Sequence, residues 1–207
     1  MRTIIFALLY LMSATLGAVE KSATIMPIER ALKMVGERIG VHFTIEAPEK
    51  EFSTTVDSDR VFGLGVEKNM VLASLQNELE HYVLSKDLII ENVVHVRYFP
   101  DKSDVLSASI KNFTFNGSPG LLVAVLSQKK IGISESRFGA TTASGTVGYH
   151  VKDANFKDWT GPLRALLTQA VDTEKADWVA WTCCVHDDGT NEVIFNPTRL
   201  RKGKLEK

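Results

Sequence analysis

LSASIKNFTFNGSPGLLVAVLSQK, Leu106 to Lys129, decides the reading of this chain because the chain repeats it. Moved forward by 41 residues without a gap, it falls on VGYHVKDANFKDWTGPLRALLTQA, Val147 to Ala170, with seven of 24 positions identical. The identities are Lys111/Lys152, Phe115/Phe156, Gly120/Gly161, Leu122/Leu163, Ala124/Ala165, Leu126/Leu167 and Gln128/Gln169. Unrelated segments at ordinary residue frequencies share about one or two. Each copy reads as a strand, a turn and an amphipathic helix, so 106–129 and 147–170 form a repeated βα unit.

Working outward, Ser118 followed by Pro119 reads as a helix cap and first helical residue. A strand is expected at Ile131 to Glu135 and a small-residue loop at Gly139 to Gly145. The last helix is expected from about Asp158 to Val171. A hairpin follows, Trp178 to His186 and Glu192 to Asn196, around Asp187-Asp188-Gly189-Thr190.

Upstream, MPIERALKMVGERIG (26–40) spaces Ile28, Ala31, Leu32, Val35 and Ile39 as one helix face, with Gly40 as its stop. Val41 to Ile45 alternates as a strand, Ser53 to Val56 reads as a short strand in a loop, and Val61 to Val66 reads as extended. Asn69 caps a second predicted helix carrying Val71, Leu72, Leu75, Leu79 and Val83. Strands Leu84 to Ile90 and Val93 to Phe99 flank a tight Glu91-Asn92 turn. A shift of 92 lays Pro27 on Pro119 and Arg38 to Val41 on Lys130 to Ile133. The expected fold is therefore α+β: two tandem small modules, each roughly βαβ-βαββ, with two helices packed on small sheets. Their spans are 19–100 and 106–198, joined by a linker at 101–105.

Composition bounds the function. With 207 residues, 44% hydrophobic and 24% charged, the chain is globular rather than disordered. A net charge of −1 gives no electrostatic case for nucleic acid or an anionic membrane. Met1-Arg2-Thr3, the apolar run Ile4 to Met12 and the small residues Ser13 to Ala18 form the three-part pattern of a secretory signal peptide over 1–18. That run is too short to span a bilayer, which takes roughly 20 residues. The mature chain is expected to start near Val19, without a transmembrane span, in the periplasm or the medium. Residues 199–207 form a basic tail.

ALKMVGERIGVHFTI and MVLASLQNELEHYVLSKDLIIENVVHVRY resemble the secretin and TonB short N-terminal domain, clearest over Pro27 to Phe99; the second half looks like a more divergent copy. The resemblance implies a non-catalytic module that binds other envelope proteins, often by strand addition at a sheet edge. The secretin pore and receptor barrel of that family are absent from this sequence.

The residues that could carry chemistry are few. His42, His81, His95, His150 and His186 form no metal-ligand pair at local spacing; His42, His95 and His150 are read on the polar faces of their strands. Cys183 and Cys184 are adjacent, so a regular strand sends them to opposite faces as two free thiols. With His186 they are the one local concentration of soft ligands, and a thiol- or metal-handling role is the alternative reading. Gly63-Leu64-Gly65 lacks phosphate-binding company, and the sequons at Asn112 and Asn116 read as turn and cap residues. No catalytic residue, metal site or cofactor is expected. Trp178 and Trp181 differ in strand parity, so in a regular strand at most one faces the core; the other is then an outward, partner-binding indole, unless the sheet is covered on both faces.

Overall fold

A computed structural model describes residues 25–63, 65, 67–98, 105–128, 153–171 and 176–197. The expected signal peptide, the linker at 101–105 apart from Val105, the strand at 131–135 and the basic tail lie outside them. The elements in order are β1 (Ile25–Pro27), α1 (Ile28–Ile39), β2 (His42–Pro48), β3 (Thr55–Asp57), α2 (Ser58–Phe62), α3 (Lys68–Glu78), β4 (Tyr82–Lys86) and β5 (Val93–Tyr98). They continue as β6 (Ser109–Gly117), α4 (Pro119–Gln128), β7 (Ala154–Pro162), α5 (Leu163–Ala170), β8 (Ala176–Val185) and β9 (Asn191–Pro197). The α+β class holds.

One five-stranded sheet, ordered β4-β5-β2-β8-β9, runs through both halves of the chain. Central β2 is parallel to β5 on one side and to β8 on the other, while β4 and β9 close the sheet antiparallel. The tandem two-module plan is thus not confirmed: β2 of the first half and β8 of the second are hydrogen-bonded neighbours. Each half instead covers one face of the shared sheet. Phe43, Ile45, Ala47, Val94 and Val96 are buried with Ile28, Ala31, Leu32 and Val35 of α1 and with Val71 and Leu75 of α3. Trp181, Cys183, Val193 and Phe195 are buried on the other side with α4, α5 and the β6–β7 ribbon. The Val, Leu, Ile and Phe side chains among them stabilise the fold by about 1.5–3 kcal/mol each.

Local chemistry explains most element ends. Gly40 closes α1 in the left-handed region (φ 67°), donating its N–H to Gly36. Gly36 itself is required by packing, since a Cβ there would stand 2.5 Å from the Val41 carbonyl oxygen and 2.9 Å from Trp178 Cβ. Ser118 caps α4 as read, its Oγ accepting from Leu121 N–H at 3.4 Å. Several segments differ from the reading. Among them, α3 starts at Lys68 behind Glu67 rather than at an Asn69 cap, and it ends at Glu78, leaving Val83 to β4. Residues read as extended from Val61 begin in α2, whose start is capped by the Asp57 carboxylate accepting Asp59 N–H at 3.0 Å. The last helix starts at Leu163, because Asp158 to Pro162 continue β7.

The two βα copies pair with each other. β6 and β7 are antiparallel, and the repeated Phe115 and Phe156 stand opposite. The ribbon has a bulge in each strand, with Asn112 (φ 52°) and Asp158 (φ 50°) in the left-handed region. Asn112 N–H donates to Thr160 Oγ1 and Asp158 N–H donates to Thr114 Oγ1, each at 3.2 Å. Phe113 lies opposite Trp159 between them. Lys-Asn-Phe-Thr (111–114) and Lys-Asp-Trp-Thr (157–160) are therefore equivalent about a local twofold axis, which sets the strand repeat at 46 residues rather than 41.

Candidate functional site

The end of the sheet formed by β4 and the loop after it concentrates the exposed apolar surface. The strand read as Leu84 to Ile90 ends at Lys86, and Asp87 turns the chain inward. Its N–H closes the β5 ladder on the Val93 carbonyl at 2.9 Å. Its Oδ1 accepts the N–H groups of Ile89 and Ile90, both at 2.7 Å, and its Oδ2 lies 2.9 Å from His95 Nε2. The far ring nitrogen, Nδ1, is 2.8 Å from Thr44 Oγ1. In the tautomer with its proton on Nε2, the ring donates to Asp87 and accepts the threonine hydroxyl proton.

Burial of Asp87 works against its charge, but the His95 bond and the Ile90 and Ile89 N–H groups outweigh it and hold the carboxyl below its usual range. Thr44, His95 and Asp87 follow the order of a nucleophile, a base and an orienting acid. However, Thr44 is fully enclosed and the Trp181 ring lies 6.2 Å from His95, so no substrate reaches the hydroxyl here. What this line does is fix a loop. Asn92, at φ 66°, secures the other end: its carbonyl accepts His42 N–H at 2.8 Å and its Oδ1 accepts Lys68 Nζ at 2.7 Å. Between these anchors the loop carries Leu88, 92% exposed, and Ile89, 55% exposed.

The strand β4 is an outer strand, and part of its free edge is occupied. Gln76 of α3 donates from Nε2 to the Tyr82 carbonyl at 2.7 Å and accepts Leu84 N–H on Oε1 at 2.9 Å.

The residues singled out from sequence fall elsewhere. Trp181 is fully buried in the second-half core, donating from Nε1 to Thr168 Oγ1 at 3.3 Å, so it presents no indole to a partner. Trp178 is half-buried and stacked on His42, with ring centroids 4.8 Å apart. The parity argument fails because β8 has a register shift around Ala180: Phe43 pairs with Val179, but the next residue, Thr44, pairs with Trp181. His95, read on a polar face, is buried. His81 follows α3 on the exposed surface, and His150 lies outside the described residues.

Cys183 is buried and Cys184 half-buried, and neither is in a disulfide. Burial, then the charges of Glu49 and Glu192, push the Cys184 thiol up to about 11. His186 sits between those same carboxylates, 3.3 Å from each. Among the described residues no grouping of His, Cys, Asp and Glu is arranged to hold a metal ion. Since the thiolate is the reactive form, Cys184 is expected to alkylate at least roughly tenfold more slowly than an unstructured cysteine at pH 8. Comparing iodoacetamide labelling of the folded chain with that in urea checks this; equal rates would contradict it.

No family model matches this chain, and no curated protein or solved structure is significantly similar to it.

Proposed function

We propose that this chain is a non-catalytic protein-binding module of the bacterial envelope, exported to the periplasm or the medium, whose partner is another envelope protein. The observation that carries this is the Leu88-Ile89 tip, apolar, exposed and held rigid by a buried carboxylate. Exposed apolar side chains are ordinary when scattered. Here the chain places them at a loop apex and clamps both ends, and a clamped apex meets a partner without an ordering cost.

The contact is side-chain capture at this tip, with the apolar pair filling a pocket on the partner as anchor residues do. Strand addition along β4, the mode that the family resemblance implies, meets the Gln76 carboxamide already in place. Export rests on the basic, apolar and small-residue pattern of Met1 to Ala18, and no helix among the described residues is long and apolar enough to cross a membrane. The thiol alternative meets an unfavourable setting, since burial, and then the charges of Glu49 and Glu192, suppress the thiolate that it needs.

The test is a crosslinked pull-down from envelope extract with the wild-type chain and a Leu88→Asp/Ile89→Asp variant as baits. Losing an anchor of this kind costs about 2 kcal/mol, or roughly 30-fold in affinity. Capture of one membrane partner by wild type, reduced by that order in a variant with an unchanged urea midpoint, is the expected result. Equal capture by both baits would reject the tip as the contact.

A further inference from the structure

We infer that β4 carries a self-complementary edge and that the Gln76 side chain is what keeps a second copy of this chain from pairing with it. The alternation of the ladder shows which groups are at stake. Asp87 N–H bonds Val93, and β4 pairs Val83 with Arg97 and Ser85 with His95, so the main-chain groups of Tyr82, Leu84 and Lys86 point away from β5. Tyr82 N–H is taken by the Leu79 carbonyl at 2.9 Å. The next two groups along that edge, Tyr82 C=O and Leu84 N–H, are both taken by Gln76, at 2.7 and 2.9 Å. A primary carboxamide presents its oxygen and one N–H on the same side. Gln76 therefore stands where two successive outward groups of a neighbouring strand, one C=O and one N–H, would stand.

The occupant that this edge fits is its own copy. An antiparallel twofold pairing centred on Leu84 sets Leu84 against Leu84, Val83 against Ser85, and Tyr82 against Lys86. Lys86 is the one charged residue of β4 and never meets itself. Exposed outer strands with such a pattern recruit other chains unless something blunts them. Pairing here would first break two hydrogen bonds in each protomer, which is the function of the plug. This inference is independent of the role given to Leu88 and Ile89.

Sedimentation velocity over a concentration series tests it on the full chain. Gln76→Met keeps the length of the side chain and removes both bonds. It is expected to self-associate at a concentration at least about tenfold below wild type, with Leu84 amide exchange accelerated in the dilute monomer. Adding Lys86→Pro deletes an outward N–H without touching the β5 ladder and should cancel the association. A folded Gln76→Met chain that sediments like wild type overturns the inference, as does association that Lys86→Pro leaves intact. If Gln76→Met does not fold, Gln76→Glu replaces it: its carboxylate still accepts Leu84 N–H but repels the Tyr82 carbonyl. A folded, wild-type-like Gln76→Glu overturns the inference equally.

Discussion

Arg164→Met is expected to destabilise the chain by about 3–5 kcal/mol. Arg164 on α5 meets Glu46 on β2 through two parallel bonds, Nη2 to Oε2 at 2.8 Å and Nε to Oε1. The two side chains are 13% and 11% exposed, so water screens the pair little. Removing the guanidinium takes the two-bond partner from a nearly buried carboxylate in the sheet–helix interface, and the loss of that pairing sets the size of the effect. Replacing both residues, as Glu46→Leu/Arg164→Met, should recover most of the loss, because a buried ion pair is worth little against an apolar pair of the same volume. Urea midpoints for the wild type, the single variants and the double variant form the necessary cycle. A loss below about 1 kcal/mol in Arg164→Met would show that the pair is solvated and that the two halves are not clamped there.

This pair also shows why the architecture was only half legible in the sequence. Periodicity reports which residues of an element lie on its apolar face, and α1, β2, α4 and the β8–β9 hairpin were read from it close to their observed positions. It does not report which element covers the other face. His95 reads on the polar face of its strand, yet Trp181 from the far end of the chain lies against it, and α5 from the same end reaches Glu46 of β2. Pairing of β2 with β8 across more than a hundred residues leaves no local trace. The β6–β7 repeat was visible, but its register was set by counting identities along the helices. The equivalent bulges are marked instead by Lys-Asn-Phe-Thr and Lys-Asp-Trp-Thr, a signal present in the sequence at a shift of 46. The apolar run before Glu91 read as strand because a buried aspartate has no periodic signature. Nothing in Leu84 to Ile90 announces that Asp87 finds three partners.

Asp87→Ala is the second large effect expected, about 3 kcal/mol, and it links stability to the proposed contact. The carboxylate satisfies Ile89 N–H, Ile90 N–H and His95 Nε2 together. Its loss leaves the buried imidazole without its partner and frees the loop that presents Leu88, at about 1–3 kcal/mol for each buried group left unpaired. The pH dependence follows from the direction of the Asp87 shift. Its folded pKa is lowered relative to the unfolded carboxyl, near 3.8. The stabilisation is therefore complete above that unfolded value and is lost as the pH falls through the lower folded one. The stability gap between wild type and Asp87→Ala should be full at pH 5 and should shrink from about pH 4 downward. Urea melts at pH 5 and pH 3 measure it, and a gap that widens toward pH 3 would reverse the assigned sign. Amide exchange at Leu88 to Ile90 separates local from global loss. Exchange in Asp87→Ala that is accelerated in the loop beyond the drop in global stability identifies the carboxylate as the clamp of the tip. Uniform acceleration would instead make it a core residue with no special hold on the loop.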